Sequence, residues 1–156
     1  MRRPWNLISY PVYSLVTLSH EWVKNMNIMT YVIPVSMNPK HYILAIYAGT
    51  QTLENWSYTH RGILQILAPS HAPLVHILGK KTGKSYDKMS YLSRKWFLSP
   101  DGLIDGIAWY LELEEIERLG DGGWDHTLFL CRVVSSRTYH ESVLMTGELV
   151  EKGVIL

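Results

Sequence analysis

The sequence predicts one mainly β domain, a β-barrel with a few short helices, over residues 1–156. A length of 156 residues and a hydrophobic content of 47% fit a single globular domain with its own core. Short runs rich in β-branched and aromatic residues recur at close spacing, whereas stretches of helical periodicity are few. Many short strands with few helices are typical of a barrel.

Several segments have strand patterns. In residues 109–114, Trp109, Leu111 and Leu113 alternate with Tyr or Glu, as in an antiparallel strand with one solvated face. Residues 42–47 form a continuous apolar run, which suits a strand buried on both faces. The remaining predicted strands are residues 12–18, 28–35, 62–67, 127–134 and 142–146.

The predicted helices are short. One begins with Thr52 as its N-cap, because a threonine hydroxyl can accept from a free N–H of the first turn. A second has Pro73 in its first turn and Gly79 as its C-terminal cap. A third covers residues 87–92. The glycine-rich residues 120–123 lie between two predicted strands and are typical of a hairpin loop.

Composition excludes several classes of function. The formal net charge is +1, which offers no electrostatic footprint for a nucleic acid. The single cysteine, Cys131, leaves no disulfide within the chain and no cysteine-based zinc site, and it suits the reducing cytoplasm. No apolar run reaches the roughly 20 residues of a membrane span, and no signal peptide is recognisable. We therefore expect a cytoplasmic protein that binds neither nucleic acid nor a membrane.

Common catalytic motifs are absent from the sequence. It has no Rossmann fingerprint, no P-loop, no His-Glu-x-x-His and no Gly-x-Ser-x-Gly elbow. The seven histidines are scattered, which favours solvated or hydrogen-bonded imidazoles over metal ligands. We predict no metal site.

Two polar clusters, separated by two predicted strands, are the most informative part of the chain. The first covers residues 25–39, and the second is Gly49-Thr50-Gln51-Thr52. The second enters a predicted helix, where small residues, hydroxyls and free backbone N–H groups would suit a phosphate. The residue types alone favour a simpler interpretation, a hairpin loop followed by a helix cap. Similarly, the basic cluster Lys80, Lys81 and Lys84 suits a solvated loop, or a contact to a cofactor phosphate.

The order and spacing of short motifs add a second kind of information. These motifs are Pro11-Val12-Tyr13, Asn27-Ile28-Met29-Thr30, Ser36-Met37-Asn38-Pro39, Gly49-Thr50-Gln51-Thr52-Leu53-Glu54-Asn55, Gly79-Lys80-Lys81-Thr82-Gly83-Lys84, Asp87-Lys88-Met89, Asp125-His126-Thr127-Leu128-Phe129 and Leu149-Val150-Glu151-Lys152-Gly153-Val154-Ile155. Taken together they resemble the flavin reductase-like family with the FMN-binding split barrel, the group that includes flavoredoxin. The resemblance covers nearly the whole chain.

The resemblance implies a fold and an activity. The fold would be a split β-barrel, a six-stranded antiparallel Greek-key barrel that forms a homodimer with FMN at the subunit interface. The activity would be that of an NAD(P)H-dependent flavin reductase, which transfers hydride from NADH or NADPH to FMN and can supply reduced flavin to a partner oxygenase. A cofactor that supplies the redox chemistry would also explain why no catalytic triad is found.

Site residues follow from the resemblance position by position. The strand that reads the edge of the isoalloxazine ring corresponds to Asn27, Met29, Thr30, Tyr31 and Val32, with Thr30 the first candidate. The turn near the ribityl chain corresponds to Ser36, Met37 and Asn38. The phosphate loop corresponds to Gly49, Thr50, Gln51 and Thr52.

Two further residues are expected near the ring. His126 matches the family's histidine near the flavin and is the implied catalytic residue, a donor to the ring or to the nicotinamide. The alternative for His126 is a hairpin residue that bonds back to Asp125. Among the six tryptophans, Trp124 is the best candidate for a ligand contact, whereas core packing explains most of the others.

Two departures from the family pattern and three alternative functions remain. Lys40 replaces a second proline after the turn, and a C-terminal extension found in some members is not present after Leu156.

The missing extension motivates the first alternative function, an FMN-binding electron-transfer protein that takes electrons from a ferredoxin without its own NAD(P)H activity. A related barrel that binds haem through a histidine is a more distant alternative. An oligonucleotide-binding barrel is another, against which the near-zero net charge argues.

Overall fold

One antiparallel sheet dominates the fold. The computed structural model describes residues 3–120 and 122–155. Within these ranges the strands are β1 (Tyr13–Leu18), β2 (Lys24–Met26), β3 (Val32–Met37), β4 (Lys40–Tyr47), β5 (Arg61–Ile66), β6 (Trp109–Gly120) and β7 (His126–Thr138). The α-helices are α1 (Gln51–Thr59), α2 (Leu74–Lys80), α3 (Lys88–Arg94) and α4 (Thr146–Glu151), with 3-10 turns at Pro4–Asn6 and Pro69–His71. The seven strands form one sheet in the order β2-β1-β5-β6-β7-β4-β3. The predicted mainly β fold with a few short helices is confirmed.

The chain between β2 and β3 joins the two edges of this sheet. β2 pairs with β1 at one edge, and β3 pairs with β4 at the other. Between them, Met29 exchanges two backbone hydrogen bonds of 2.9 Å with Tyr13, and the carbonyl of Tyr31 accepts from the N–H of Ala45 at 3.0 Å. The sheet therefore curls into a split barrel. When β2 and β3 are counted as one interrupted strand, the split barrel has the six strands that the family resemblance implies.

The interruption corrects one strand prediction, because residues 28–35 do not form a continuous strand. The backbone N–H of Leu15 donates to the side-chain Oδ1 of Asn27 at 2.8 Å, so a side chain takes the place of a ladder carbonyl. The chain then changes its partner from β1 to β4, and β3 begins only at Val32. Pro34, which has no N–H to donate, is tolerated because β3 is an edge strand with an irregular register after this residue.

Two buried clusters form the core. The first lies inside the curled sheet, where Trp56 of α1 packs with Phe129 of β7 at a ring-centroid distance of 5.8 Å. Cys131 belongs to this cluster as well, and burial raises the pKa of its thiol to about 12, as expected for a packed core residue. The second cluster lies between α2, α3 and the sheet.

Two other local predictions are wrong. Residues 142–146 were expected to form a strand, but only Met145 forms a bridge, to Pro11, and α4 begins at Thr146. The carbonyl of Leu144 accepts from the N–H of Val12, and its N–H donates to the carbonyl of Leu67. Val12 precedes β1 and Leu67 follows β5, so Leu144 bonds to two chain segments and no ladder with one strand develops. Gly79 does not end α2, which continues to Lys80.

The predicted hairpin is present and longer than expected. β6 and β7 extend beyond the predicted segments 109–114 and 127–134, and their loop covers residues 121–125, of which Asp121 lies outside the described residues. None of the helices in the described ranges has the length and apolarity that a bilayer crossing requires.

Candidate functional site

One cavity of about 510 Å³ brings together most of the predicted site residues. It lies where residues 25–31, the end of β4, the start of α1 and the loop after α2 meet. The predicted residues that line it are Asn27, Met29, Thr30, Tyr31, Thr50, Gln51, Thr52 and His126. Predicted residues from three separate parts of the sequence are therefore neighbours in space.

The other predicted residues lie outside this cavity. Val32 begins β3 and packs against the barrel core. Ser36 and Met37 end β3, and Asn38 begins the turn to β4; Met37 is 90% exposed. The remaining two are in loops: Gly49 has a φ of +74° in the turn before α1, and Trp124 is exposed in the β6–β7 loop.

The N-terminus of α1 forms one end of the cavity. Its N-cap is Thr50 and not the predicted Thr52, because Thr50 has an extended backbone and its Oγ1 accepts from the N–H of Leu53 at 3.2 Å. The same hydroxyl donates to the carbonyl of Tyr47 at 2.8 Å, so the helix cap occupies it. The N–H groups of Gln51 and Thr52 have no acceptor within the helix and carry the positive end of the helix dipole.

Thr52 adds a buried hydroxyl to this end. The residue is 2% exposed, and its Oγ1 accepts from Asn25 Nδ2 at 3.2 Å. This leaves the hydroxyl proton of Thr52 available as a donor. Gln51 Nε2 donates to Asn55 Oδ1 at 2.8 Å, and Asn55 Nδ2 in turn donates to Thr17 Oγ1 at 3.1 Å. These bonds anchor the first turn of α1 to β1 and β2.

A buried lysine lies at the same end. Lys88, the first residue of α3, is 5% exposed and lines the cavity. Its Nζ donates to the carbonyls of Met26 at 3.0 Å and Leu78 at 2.7 Å. Burial lowers the pKa of this ammonium to about 8. The loop that precedes α3 packs tightly here, since a Cβ on Gly83 would collide with Asn25 Oδ1.

Three rings line the cavity where residues 25–31 finish, and they form its aromatic end. The His126 ring lies 4.9 Å from the Tyr31 ring and 5.2 Å from the Tyr47 ring, between centroids. His126 Nδ1 is 2.7 Å from Asp125 Oδ1, so this nitrogen is bonded and Nε2 remains for another partner. The alternative interpretation of His126, a hairpin residue that bonds back to Asp125, requires this hydrogen bond. That bond is present, and the ring also lines the cavity.

The two ends define what the cavity can hold. Residues 25–31 connect the two ends, since Asn25 bonds to Thr52 and the Tyr31 ring lies against the His126 ring. A ligand would meet aromatic side chains at one end, and helix N–H groups and a hydroxyl at the other. In the part of the chain that the structure describes, no group of three or more metal-binding side chains is found. The arrangement suits an elongated molecule with a flat apolar part and an anionic part.

The sequence matches the model of the flavin reductase like domain over residues 1–148. This is nearly the whole chain. The chain belongs to the flavin reductase-like family. Membership supports a flavin-related function of the oxidoreductase type. No curated protein sequence gives a significant match.

Solved structures agree with the fold of this flavin reductase-like chain. The flavin reductase of styrene monooxygenase from Pseudomonas putida S12 has a TM-score of 0.74 at 17% identity, over 93% of this chain and 90% of that one. An FMN-binding protein from Thermus thermophilus gives 0.72 at 21% identity, over 88% and 75%. Flavoredoxin from Methanosarcina acetivorans gives 0.70 at 15% identity, over 84% and 69%. At these identities the likeness concerns the fold alone.

Among the cavity residues of this flavin reductase-like chain that sequence reasoning missed, three matter most for its chemistry. Tyr47 ends a strand that was predicted to be buried, and Asn25 belongs to the first polar cluster but was not singled out as a site residue. Lys88 belongs to a motif that carried the resemblance, but a lysine in a single sequence is expected on the surface. The placement of Lys88 in an amphipathic turn beside Asp87 gives no signal that its ammonium points inward.

Proposed function

We propose that this chain is an FMN-binding flavin reductase that transfers hydride from NADH or NADPH to FMN in the cavity described above. The division of the cavity into an aromatic end and a hydrogen-bond-donating end supports the proposal. FMN has the same two parts, an apolar tricyclic ring and a dianionic phosphate, joined by a ribityl chain. The cavity volume of about 510 Å³ is within the range of roughly 300–1,000 Å³ for small-molecule sites.

The start of α1 is the proposed phosphate site. The free N–H groups of Gln51 and Thr52 and the helix dipole favour an anion at this position. The buried hydroxyl of Thr52, whose oxygen is already occupied by Asn25 Nδ2, supplies a second, independent donor. Thr50 has a supporting role in the proposal, because it caps the helix that presents these donors.

The aromatic end is the proposed ring site. Bound FMN would supply the hydride-accepting chemistry through its isoalloxazine ring. Tyr31 and Tyr47 would limit the access of water to the ring, and Thr30 would bond to its edge. Asp125 orients the His126 ring through Nδ1, so Nε2 can hold or donate a proton at the reacting end.

A second copy of the chain is the proposed cover of the exposed edge strand. Ile33, Val35 and Met37 of β3 are exposed, and an apolar edge strand of this kind invites pairing with another chain. In a homodimer the segment that contains Ser36 and Asn38 would approach the partner's cavity. This arrangement would explain why these predicted residues lie away from the cavity of their own chain.

Partners and location complete the proposal. The flavin reductase of styrene monooxygenase, which has a similar fold, is named for its oxygenase, and we propose that reduced FMN from this chain likewise passes to a partner oxygenase. The buried, unpaired thiol of Cys131 suits the reducing cytoplasm as the place of action. The alternative is an electron-transfer protein, whose partner would be a ferredoxin. The likeness to the fold of a flavoredoxin supports this alternative.

The reductase proposal predicts FMN-dependent oxidation of a nicotinamide. Purified protein mixed with FMN and either NADH or NADPH should lower the absorbance at 340 nm faster than the protein-free mixture. A rate equal to that of the protein-free mixture with both nicotinamides would contradict the reductase proposal. Retention of stoichiometric FMN, together with reduction by ferredoxin, would then identify the electron carrier. A Soret band in the isolated protein would identify haem instead of flavin.

We also predict a loss of FMN affinity in the Thr52→Val variant. The variant should bind FMN about tenfold more weakly, because one charge-assisted hydrogen bond to the phosphate disappears. Thr52→Ser keeps the hydroxyl, together with its bond to Asn25, and should bind normally, which controls for substitution at this position. Flavin fluorescence quenching measures both. Equal FMN affinity of the valine variant and the wild type would place the phosphate elsewhere.

A further inference from the structure

Lys88 has a buried positive charge that no carboxylate neutralises. Its side chain contacts two backbone carbonyls, Met26 O and Leu78 O, and among residues 3–120 and 122–155 it has no ion-pair partner. An ammonium has three N–H donors, so one donor remains after these two bonds. Buried lysines are normally paired, because removing an isolated charge from water costs several kcal/mol.

The position of Lys88 places this charge beside the proposed phosphate site. One of its acceptors is the carbonyl of Met26, and the preceding residue, Asn25, bonds to Thr52. Lys88 lines the cavity described above, and it also lines a second cavity of about 940 Å³. Asn25, Gln51 and Gly83 line both cavities as well, so Lys88 lies where the two cavities meet.

A purely structural role of Lys88 must be weighed against a binding role. The carbonyl of Leu78 lies in the last turn of α2, where a cation is favourable. A neutral hydrogen-bond donor would serve the two carbonyls as well and would avoid the burial of a charge. The positive charge itself therefore needs an anion that is present only when a ligand is bound.

We propose that Lys88 supplies this charge to the phosphate of the bound flavin and thereby selects phosphorylated flavin over riboflavin. The inference rests on the proposed FMN site and names its charged partner. The start of α1 supplies neutral donors from one side, and Lys88 supplies the cation from the other. Riboflavin, which has the ring and the ribityl chain without a phosphate, would gain nothing from Lys88.

A two-by-two comparison of protein and ligand tests the proposal. The wild type and Lys88→Met are titrated with FMN and with riboflavin, followed by flavin fluorescence. The substitution should weaken FMN binding roughly 10- to 100-fold and leave riboflavin binding within about twofold. Lys95→Met is the matched control. Lys95 is an exposed lysine that directly follows α3 and lines neither cavity, and its replacement should change neither affinity by more than about twofold.

Two other outcomes are informative. An equal loss for FMN and riboflavin would mean that Lys88 only braces the fold, and it would overturn the proposal. Lys88→Gln retains a donor for the two carbonyls without the charge, so it should reproduce the selective loss if Lys88→Met fails to fold.

Failure of the FMN site itself is distinguishable from failure of the Lys88 proposal. If the wild type binds neither flavin, the proposed function fails, and inorganic phosphate then tests Lys88 directly. Phosphate should raise the melting temperature, relative to chloride of equal ionic strength, by more in the wild type than in Lys88→Gln, since its general stabilising effect acts on both proteins. An equal rise in the two proteins would contradict an anion site at Lys88.

Discussion

Replacing Trp56 with alanine should lower the free energy of unfolding by about 3–5 kcal/mol, the range for truncating a fully buried large aromatic side chain. The Trp56 side chain is 0% exposed and packs on Phe129 inside the curled sheet. Its Nε1 donates to Glu115 Oε2 at 2.8 Å, so the variant also removes a donor from a mostly buried carboxylate. Domains are stable by only about 5–15 kcal/mol, and a loss of this size endangers folding at moderate temperature.

The effect should reach the candidate site through α1. Thr52 and Trp56 are four residues apart and lie on the same buried face of the helix. Trp56 fastens this face to the barrel, and the same helix presents the N–H groups of Gln51 and Thr52 to the cavity. Weaker FMN binding should therefore accompany the loss of stability.

Two controls define the Trp56 experiment. Trp56→Phe keeps most of the volume and loses only the N–H, while His60 Nδ1 remains 3.0 Å from Glu115, so its cost should be about 1–2 kcal/mol. Trp96→Ala changes a tryptophan that is 89% exposed and should stay within about 0.5 kcal/mol of the wild type. Urea denaturation followed by circular dichroism measures all three. Similar midpoints for Trp56→Ala and Trp96→Ala would contradict the role given to Trp56.

The sequence predicted the strands whose pattern is set by local burial. Trp109, Leu111 and Leu113 alternate because one face of β6 meets the core, and a period of two is visible without any knowledge of the partner strand. The run at residues 42–47 also predicted a strand, but β4 buries only one face: Leu44 and Ile46 lie in the core, whereas Tyr47 on the other face is exposed. Helix α1 was also predicted, since its threonine-rich start offers several caps.

Other features depend on contacts that a single sequence does not display. Whether Thr50 or Thr52 caps α1 depends on the backbone at Thr50, which the turn after β4 imposes. The interruption before Val32 depends on Asn27 bonding to Leu15 across the sheet. Leu144 is apolar and buried like a strand residue, yet its two backbone groups bond to different neighbours. In each case a long-range partner decides the local structure.

The candidate site likewise contains some residues that local sequence motifs predict and others that depend on long-range packing. The residues of the cavity wall follow from motifs of short range, such as residues 50–52, whose chemistry is visible in the sequence. The inward position of Lys88 follows from the packing of α3 on β2 and α2, which joins parts of the chain that are distant in sequence. A charged residue at a buried position contradicts the usual pattern, and such contradictions concentrate at functional sites.

The stability of the unliganded protein should depend on pH through Lys88. Burial lowers the pKa of this ammonium from 10.5 to about 8, which corresponds to roughly 3 kcal/mol of cost for the charged form. Below pH 8 both the folded and the unfolded chain hold the proton, and the cost is present in full. Between pH 8 and 10.5 the unfolded chain binds the proton and the folded chain releases it, so the contribution of Lys88 to stability rises with pH.

The Lys88→Met variant isolates this effect. Other buried groups act in the opposite direction: burial raises the pKa of Cys131 and of Tyr13 to about 12, so their contributions fall as the pH rises through the same region. Both groups are present in the wild type and in the variant, and they cancel in the difference between the two. We expect that difference to move by up to about 3 kcal/mol in favour of the wild type between pH 7 and 10.

The pH trend separates the charge of Lys88 from its hydrogen bonds. Methionine also removes the donors to Met26 O and Leu78 O, which costs about 1 kcal/mol each at every pH. This loss shifts the whole curve of the variant without changing its slope. Urea denaturation at pH 7, 8, 9 and 10 measures the two curves. Parallel curves would mean that the Lys88 ammonium keeps its ordinary pKa, and the buried cation beside the start of α1 would then lose its physical basis.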